Sequence, residues 1–272
     1  MHYRYLVLAM PLALLAGGCQ DTLTYAETRQ ALDEAALSNQ ALTVAAGSVE
    51  ICTNFTIGQA VEAAAEELRQ FIESQLPCAA VSVAGARLTI EYGANSGNCT
   101  YHGLTFSGSH SIEISSAAAG SLEVHHQWTD LSNTKVSVSG TADVTWSAAD
   151  SSRHVVHQLD WTRLGDNKQA TGSGDRTQTA LPAGIATGIG IQGGRAWTSD
   201  LGEWTLDIDN VELRWIDPVP QAGSYSLATP FNGKSASLSF ERRDEDTIKV
   251  TITSGRISYS FYVSKSGTIS DE

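Results

Sequence analysis

The sequence predicts a mainly β protein: a large antiparallel meander sheet with N-terminal helices, one of them a long amphipathic helix packed on the sheet. A strand, a Trp-Thr pair, a polar turn and a returning strand occur three times, starting at Trp128, Trp161 and Trp197. Their spacings of 33 and 36 residues fit one hairpin per unit. The 24 glycines and 6 prolines supply turns, and helix-forming stretches are concentrated near the start of the chain.

Residues 1–19 have the pattern of an export signal. Arg4 supplies a positive charge, residues 6–15 form an apolar segment too short to span a bilayer, and small residues directly precede Cys19. The segment resembles the bacterial type II signal peptide, whose lipobox ends in a cysteine that becomes the diacylated N-terminus. Ala16 stands where that family most often has leucine. The alternative interpretation is an ordinary secretory signal with an incidental cysteine.

The resemblance implies a lipoprotein of the bacterial cell envelope. Residues 1–18 are then a signal peptide that is removed, and the acylated Cys19 is the membrane anchor, because burial of the acyl chains in the bilayer holds the protein there. Gln20 does not resemble the aspartate that retains some lipoproteins at the inner membrane. The outer membrane is therefore the expected location, with its periplasmic or surface face left open.

The mature chain is predicted to have two parts. Residues 19–50 are interpreted as a lipid anchor, a tether and a loose helix, because Leu32, Ala35 and Leu42 recur at near-helical spacing. Residues 51–272 are interpreted as a single antiparallel β domain with a covering helix.

The covering helix is predicted over residues 57–76. Thr56 and Gln59 form a capping box at its start, and Pro77 ends it. Its apolar residues share one face, which predicts that it covers the dry face of the sheet; they are Ile57, Val61, Ala64, Ala65, Leu68, Phe71, Ile72 and Leu76.

The alternating pattern of a sheet begins near Cys78. Apolar residues have odd numbers at Val81 and Val83 but even numbers from Leu88 onwards, so the chain must turn or bulge between them. With a tight turn, Cys78 and Cys99 lie two strands apart, beyond the Cα separation of about 7 Å that a disulfide allows. A bulge would bring them closer, so this geometry leaves the pairing open.

Residues 78–108 resemble a pattern found in uncharacterised secreted bacterial lipoproteins. The pattern consists of residues 78–83 and 88–93, Cys99, Gly103 and Ser107-Gly108. In such proteins the two cysteines form a pair, so the resemblance implies a disulfide between Cys78 and Cys99; the alternative is Cys52 with Cys78. Three cysteines remain once Cys19 is acylated, which leaves one unpaired in a monomer. The resemblance brings no activity with it.

Regularly spaced strands are predicted through the rest of the chain, with one face apolar and the other polar. They lie near residues 110–115, 121–130, 135–146, 153–163, 168–179, 187–198, 203–215, 224–229, 235–242, 246–253 and 256–264. The Gly-rich residues 171–194 are expected to carry a long loop. Residues 218–223 could link two domains, but the strands after them would make a poor core alone, which favours one continuous sheet.

Six histidines lie from His102 to His157, enough in number to hold a metal ion if they lay together. A turn centred between residues 132 and 133 places His126 opposite Ser139 and about three residues out of register with His157. Zinc ligands must all lie within about 2.3 Å of one ion, so no metal site is predicted and the histidines are interpreted as polar sheet-surface residues. Asp207 and Asp209 are interpreted as solvated acidic surface, because two side chains are too few for calcium.

Nucleotide and nucleic-acid binding are not predicted. Residues 188–193 match GxGxxG by letter, but a further strand rather than a helix is expected after them. The formal net charge of −13 disfavours binding to phosphate backbones. No GxSxG motif is present, so no catalytic residue and no cofactor is proposed.

The repeated Trp128, Trp161 and Trp197 are the candidate binding residues. They could form an aromatic rail for a carbohydrate or protein partner, or a ladder within the core, where large apolar residues usually lie. The sequence therefore predicts a lipid-anchored, non-catalytic structural or binding component of the envelope. The first alternative is a carrier of an apolar ligand between a curved sheet and a helix; the second is a hydrolase with an unidentified site.

Overall fold

A computed structural model describes residues 22–53, 60–116, 121–147 and 152–272 of the chain. The helices in this part are α1 (Tyr25–Ile51) and α2 (Val61–Gln75). The strands are β1 (Ala80–Ala84), β2 (Arg87–Tyr92), β3 (Thr100–Tyr101), β4 (Leu104–Thr105), β5 (Ser107–Ser116), β6 (Ser121–Ser132), β7 (Val136–Ser147), β8 (Ser152–Arg163), β9 (Gln169–Ala180), β10 (Gly188–Ser199), β11 (Gly202–Arg214), β12 (Ala222–Ala228), β13 (Ser235–Arg242), β14 (Thr247–Ser254), β15 (Ile257–Ser264) and β16 (Ile269–Asp271).

Fourteen of these strands form one antiparallel sheet in which spatial order follows chain order. Only the short hairpin of β3 and β4 stands apart from it, so that β2 pairs with β5. The predicted mainly β meander is therefore confirmed. The sheet also continues across residues 218–223, since β12 pairs with β11.

Alternate side chains of the long strands point to opposite faces, as the sequence predicts. In β7, Val136, Val138 and Val144 are buried on the face that packs against α1, here called the inner face, while the intervening residues are more exposed. The Gly-rich residues 171–194 contain most of β9 and the first half of β10, so the loop between them spans only residues 181–187. The GxGxxG match opens strand β10, as expected, and no helix follows it.

Helix α1 is the main cover of the inner face, which differs from the expected loose helix. Of its 27 residues, 20 are buried. Its start is held by a capping box in which Thr24 and Glu27 bond each other's backbone amides. Helix α1 has alanines and other small residues all round and no marked apolar stripe. This pattern fits a helix that a curved sheet contacts from several sides. Neither helix of the described chain is both long enough and apolar enough to cross a bilayer.

Contacts to α1 come from both halves of the sheet. Arg163 in β8 binds Asp33 at 2.6 Å, and Lys234, next to β13, binds Glu27 at 3.0 Å. At the last strand, Asp271 pairs with Arg29. The sheet therefore curves around the helix, and the face that is enclosed becomes the core.

Helix α2 covers one edge of the sheet rather than its whole dry face. Its residues Ala64, Ala65, Leu68 and Ile72 are buried, and it packs on β1, β2 and β5. It begins at Val61, and its N-cap residue makes no side-chain hydrogen bond. The predicted capping box of Thr56 and Gln59 lies outside the described residues.

The disulfide between Cys78 and Cys99 is confirmed, with 5.4 Å between the two Cα atoms. The expected strand register placed these cysteines too far apart because it put Cys99 on the strand next to β2. Instead, residues 93–106 leave the sheet and fold back, and the backbone N–H of Asn95 donates to the Cys78 carbonyl at 2.9 Å. Cys52 is free and buried, so the alternative prediction, a disulfide between Cys52 and Cys78, was wrong.

Candidate ligand-binding site

The three repeated tryptophans line the inner face of the sheet. Trp128, Trp161 and Trp197 are 2%, 5% and 3% exposed, so they form no exposed rail. Trp128 and Trp197 lie in one cross-strand row with Gly140, Leu159 and Gly172 between them, and a Cβ at Gly172 would lie 2.9 Å from Cη2 of the Trp161 ring. The absence of a side chain at Gly172 therefore makes room for the indole ring of Trp161.

The histidines divide between the two faces, which corrects the prediction that all are surface residues. His125 and His154 lie on the outer face and bind Asp143 and Asp175 at 2.7 and 2.5 Å. The other three of the sheet are buried: His110, His126 and His157.

His126 and His157 share one cross-strand row, with Ala142 between them. The expected register was wrong because the turn lies at residues 134–135 and a bulge follows Trp128. Among the described residues, no group of three or more His, Cys, Asp or Glu side chains could hold a metal ion. Asp207 and Asp209 are exposed on the outer face.

A chain of polar contacts joins Cys52 to two buried histidines. The Cys52 Sγ lies 3.8 Å from His110 Nδ1, and His110 Nε2 lies 2.9 Å from His126 Nδ1. Burial raises the pKa of the Cys52 thiol well above its usual value and lowers the pKa of His110 to about 3. Nucleophilic cysteines have a lowered pKa and an accessible thiolate, so this arrangement is not that of an active thiol.

The C-terminal turn of α1 brings a buried carboxylate to the sheet. Glu50 Oε2 accepts from Arg153 Nη1 at 3.2 Å, and Arg153 Nε donates to Gln178 Oε1 at 2.6 Å. Burial raises the pKa of Glu50 and lowers that of Arg153, and their mutual attraction opposes both shifts. The Arg153 guanidinium also lies 5.1 Å from the ring centroid of Trp146.

A pocket of about 320 Å³ opens above this ion pair, between the end of α1 and strands β7 to β10. Glu50, Arg153 and Gln178 form its polar floor, while apolar groups form much of its wall: Trp146, Ala180, Ile185 and Ile189. Ligand pockets of proteins commonly combine apolar walls with a few fixed polar groups in this way. The arrangement fits an amphiphilic molecule whose polar end meets the ion pair.

Deeper along β9, the inner face carries further basic residues. Arg176, Arg195 and His157 are 3%, 6% and 5% exposed and lie around the inner side of Gly174. Sequence reasoning missed these residues and Arg153. The alternation of the strands could have predicted their burial. Each lies an even number of residues from buried apolar residues of its own strand, as Arg153 and His157 do from Val155 in β8.

Comparison of the chain with protein-family models, with curated proteins and with solved structures gives no match. The function proposed below therefore rests on the geometry of the site and on the residue pattern at positions 1–19.

Proposed function

We propose that the protein is a lipid-anchored component of the bacterial cell envelope that binds a small ligand without chemical turnover. Cys19 is the proposed anchor, and the pocket between the end of α1 and strands β7 to β10 is the proposed ligand site. The anchor is supported by the resemblance of residues 1–19 to a lipobox signal peptide.

The pocket is the observation that carries the binding role. A purely structural protein needs only a filled interface between helix and sheet, whereas this interface leaves about 320 Å³ open at one end. That volume lies at the lower end of the range of about 300 to 1,000 Å³ found for small-molecule sites. A site of this size fits a small molecule better than a long polymer.

A second candidate function, carriage of an apolar ligand, is favoured by the pocket wall. Trp146, Ile185 and Ile189 present apolar surface to the pocket, and burial of such surface drives association. A carrier would hold the apolar part of its cargo against this wall. In this interpretation the Arg153–Glu50 pair closes the inner end of the pocket.

Filling the pocket tests both candidates. Ala180 lines the pocket and is itself exposed, so Ala180→Trp should fill the space without disturbing the core. Ala228→Trp makes the same change on the exposed face of β12 and is the matched control. We expect the acyl-free protein to bind the neutral fluorescent probe N-phenyl-1-naphthylamine, and Ala180→Trp alone to lose at least tenfold in affinity.

Native mass spectrometry of the same proteins, purified from the envelope fraction, gives an independent result. A co-purifying small molecule present in the control and absent in Ala180→Trp would support the proposal. No co-purifying mass, together with equal probe binding by both variants, would favour the structural role instead.

The anchor is tested separately. Cys19→Ser removes the acylated sulfur, so the protein should move from the membrane fraction to the soluble fraction after export. Mass spectrometry of the wild-type N-terminus should show a diacylated or triacylated Cys19 and no residues 1–18. A wild-type chain that keeps residues 1–18 would contradict the anchor but leave the pocket result standing.

A further inference from the structure

Two buried arginines of the inner face have no carboxylate partner among the described residues. The three carboxylates that are buried in the described part of the chain are engaged elsewhere: Glu34 with Lys168 at 2.6 Å, Glu50 with Arg153 at 3.2 Å, and Asp217 with Arg214 and Arg242. Arg176 and Arg195 are left with two positive charges inside the protein. An isolated buried charge is strongly unfavourable unless an opposite charge or hydrogen-bond partners accompany it.

Several nitrogens of these two arginines also lack a hydrogen-bond partner, although Arg195 bonds the side chain of Tyr225 as well. The free buried atoms are Arg176 Nε and Nη1, Arg195 Nε and Nη2, and His157 Nδ1. Nε and Nη2 lie along the same edge of a guanidinium, so Arg195 presents a complete fork of the kind that binds two oxygens of one carboxylate or phosphate. Such donors are rarely left without partners in a folded protein.

The strand register brings these groups together. His157 in β8 and Arg195 in β10 both pair with Gly174, and Arg176 lies two residues further along β9 on the same face. Neighbouring strands are about 4.8 Å apart, so the three side chains project from one small area of the sheet. Gly174 is needed there, because a Cβ at that position would lie 2.3 Å from His157 Cε1.

We propose that this cluster binds an oxyanion, either free or as the acidic group of a larger ligand. Arg176 and Arg195 supply its positive charges, and the imidazole of His157 supplies a further hydrogen bond. Two arginines favour a doubly charged group such as sulfate or hydrogen phosphate over a single carboxylate.

The surroundings of the cluster fit this assignment. Arginine keeps its charge in proteins, and burial together with Arg195 and Arg153 lowers the pKa of Arg176 only to about 9. The aromatic rings near Arg195 stabilise its charge but do not neutralise it: its guanidinium carbon lies 5.7 Å from the ring centroid of Trp197 and 5.4 Å from that of Tyr225. A counter-charge is therefore still required.

The cluster is distinct from the pocket but close to it. Gln178, in the pocket floor, is two residues from Arg176 on the same face of β9, and Arg153 pairs with Gln178 across the strands. An acidic group bound by Arg176 could thus belong to a ligand whose apolar part occupies the pocket. The oxyanion site does not require the pocket to be a ligand site, since none of its three residues lines that pocket.

The test compares anions at equal ionic strength on the acyl-free protein. Sodium phosphate and sodium sulfate are titrated against sodium chloride while the melting temperature is followed by calorimetry. We expect a saturable rise of about 5 to 10 °C for phosphate or sulfate at 100 times its Kd. A second arm uses decyl phosphate below its micelle concentration, which would bind more tightly than phosphate only if the acidic group belongs to an amphiphile.

Variants identify the residues responsible. Arg176→Met and Arg195→Met each remove the charge and the donors while keeping an extended side chain, and both should lose the rise. Arg195→Lys keeps the charge but removes the fork, so it should lose at least tenfold in affinity for phosphate. Arg256→Met removes an exposed arginine and is the control that should keep the full response.

Native mass spectrometry of the wild-type protein shows whether an anion is retained through purification. An adduct lost in Arg176→Met supports the proposal even if added phosphate has no further effect. The proposal is overturned if the wild type carries no adduct and shows no phosphate or sulfate response, or if Arg176→Met and Arg195→Met respond as the wild type does. Interior water would then be the partner of these donors.

Discussion

Two parts of the same inner face differ in what they bury. From β11 to β15 it is apolar, with Leu206, Ile208, Tyr225, Leu227, Leu238, Phe240, Val250, Ile252, Phe261 and Val263. From β8 to β10 it includes Arg153, His157, Gly172, Gly174, Arg176, Gln178 and Arg195. Both parts alternate with an exposed face, and both lie in one continuous sheet.

This difference teaches that alternation determines which side chains are enclosed but not whether enclosing them is favourable. Burial of the apolar half is favourable in itself, because it removes apolar area from water. Burial of arginine and histidine costs free energy unless partners are provided. We therefore expect the buried polar residues of this half to serve binding rather than stability.

The largest effect is expected from breaking the buried ion pair of Glu50 and Arg153, which links the polar half to α1. Glu50→Gln leaves the Arg153 charge buried without its counter-charge, which should cost about 3 to 5 kcal/mol in the free energy of unfolding. Urea denaturation monitored by tryptophan fluorescence measures it. The double variant Glu50→Leu/Arg153→Met should recover most of the loss, and a single variant as stable as wild type would contradict the comparison.

A truncation in the apolar half should cost almost as much. Leu238 is fully buried between Tyr225 and Ile252, so Leu238→Ala should lose about 2 to 5 kcal/mol through lost burial and the cavity left behind. Ser237→Ala, on the exposed face of the same strand, is the matched control and should stay within about 0.5 kcal/mol of wild type. Equal effects of the two changes would mean that this part is loosely packed.

Acid should destabilise the protein through its buried histidines, of which His157 lies in the polar half and His110 in β5. Burial lowers the pKa of His157 to about 2 and that of His110 to about 3, below the value of about 6.5 expected for the unfolded chain. Between these values the unfolded chain binds protons that the folded protein does not. Stability is therefore complete above about pH 6.5, and each histidine lowers it by about 2 kcal/mol from pH 7 to pH 5.

This pH dependence can be assigned by substitution. His157→Leu should reduce the slope of unfolding free energy against pH by up to about 1.4 kcal/mol per pH unit between pH 6 and pH 4. Thr177→Ala, a change on the outer face that removes no titratable group, should leave the slope near that of wild type. The raised pKa of Glu50 acts in the opposite direction above about pH 4.5, but this contribution is common to wild type and variants and cancels when their slopes are compared.

The smallest effect is expected on the outer face. The side chains of His125 and Asp143 are 45% and 75% exposed, so solvent screens the interaction between them. Asp143→Asn should change the free energy of unfolding by less than about 1 kcal/mol. A larger loss by the same urea assay would show that outer-face polar pairs carry more of the stability than burial indicates.

Strand positions could be predicted because hairpins are local. The predicted strand at 235–242 has the observed bounds of β13, and most others differ by one or two residues, since turn residues and alternation act over short distances. The register between β6 and β7 could not be predicted. The turn lies at residues 134–135 instead of 132–133, and a bulge follows Trp128; together they place His126 opposite Ala142 instead of the expected Ser139, and so in one row with His157.

The role of α1 was also missed, although Thr24 and Glu27 carry the sequence signal of a helix start. Its weak amphipathicity was interpreted as looseness. A helix enclosed by a curved sheet has the same pattern, and only the curvature of the sheet distinguishes the two cases. The Cys78–Cys99 pair likewise depends on residues 93–106 leaving the sheet, which strand periodicity does not show.

By itself, the sequence determined the meander, the faces of its strands and the expected export signal, because each depends on neighbouring residues along the chain. The tertiary structure alone decided which positively charged residues share one interior, which of them obtain a carboxylate and where space remains open. Those outcomes depend on strand register and on the path of α1, which join Glu50 to Arg153 and leave Arg176 and Arg195 without such a partner in the described chain. Electrostatic pairing acts through distances in space, and those distances exist only once the sheet has curved around the helix.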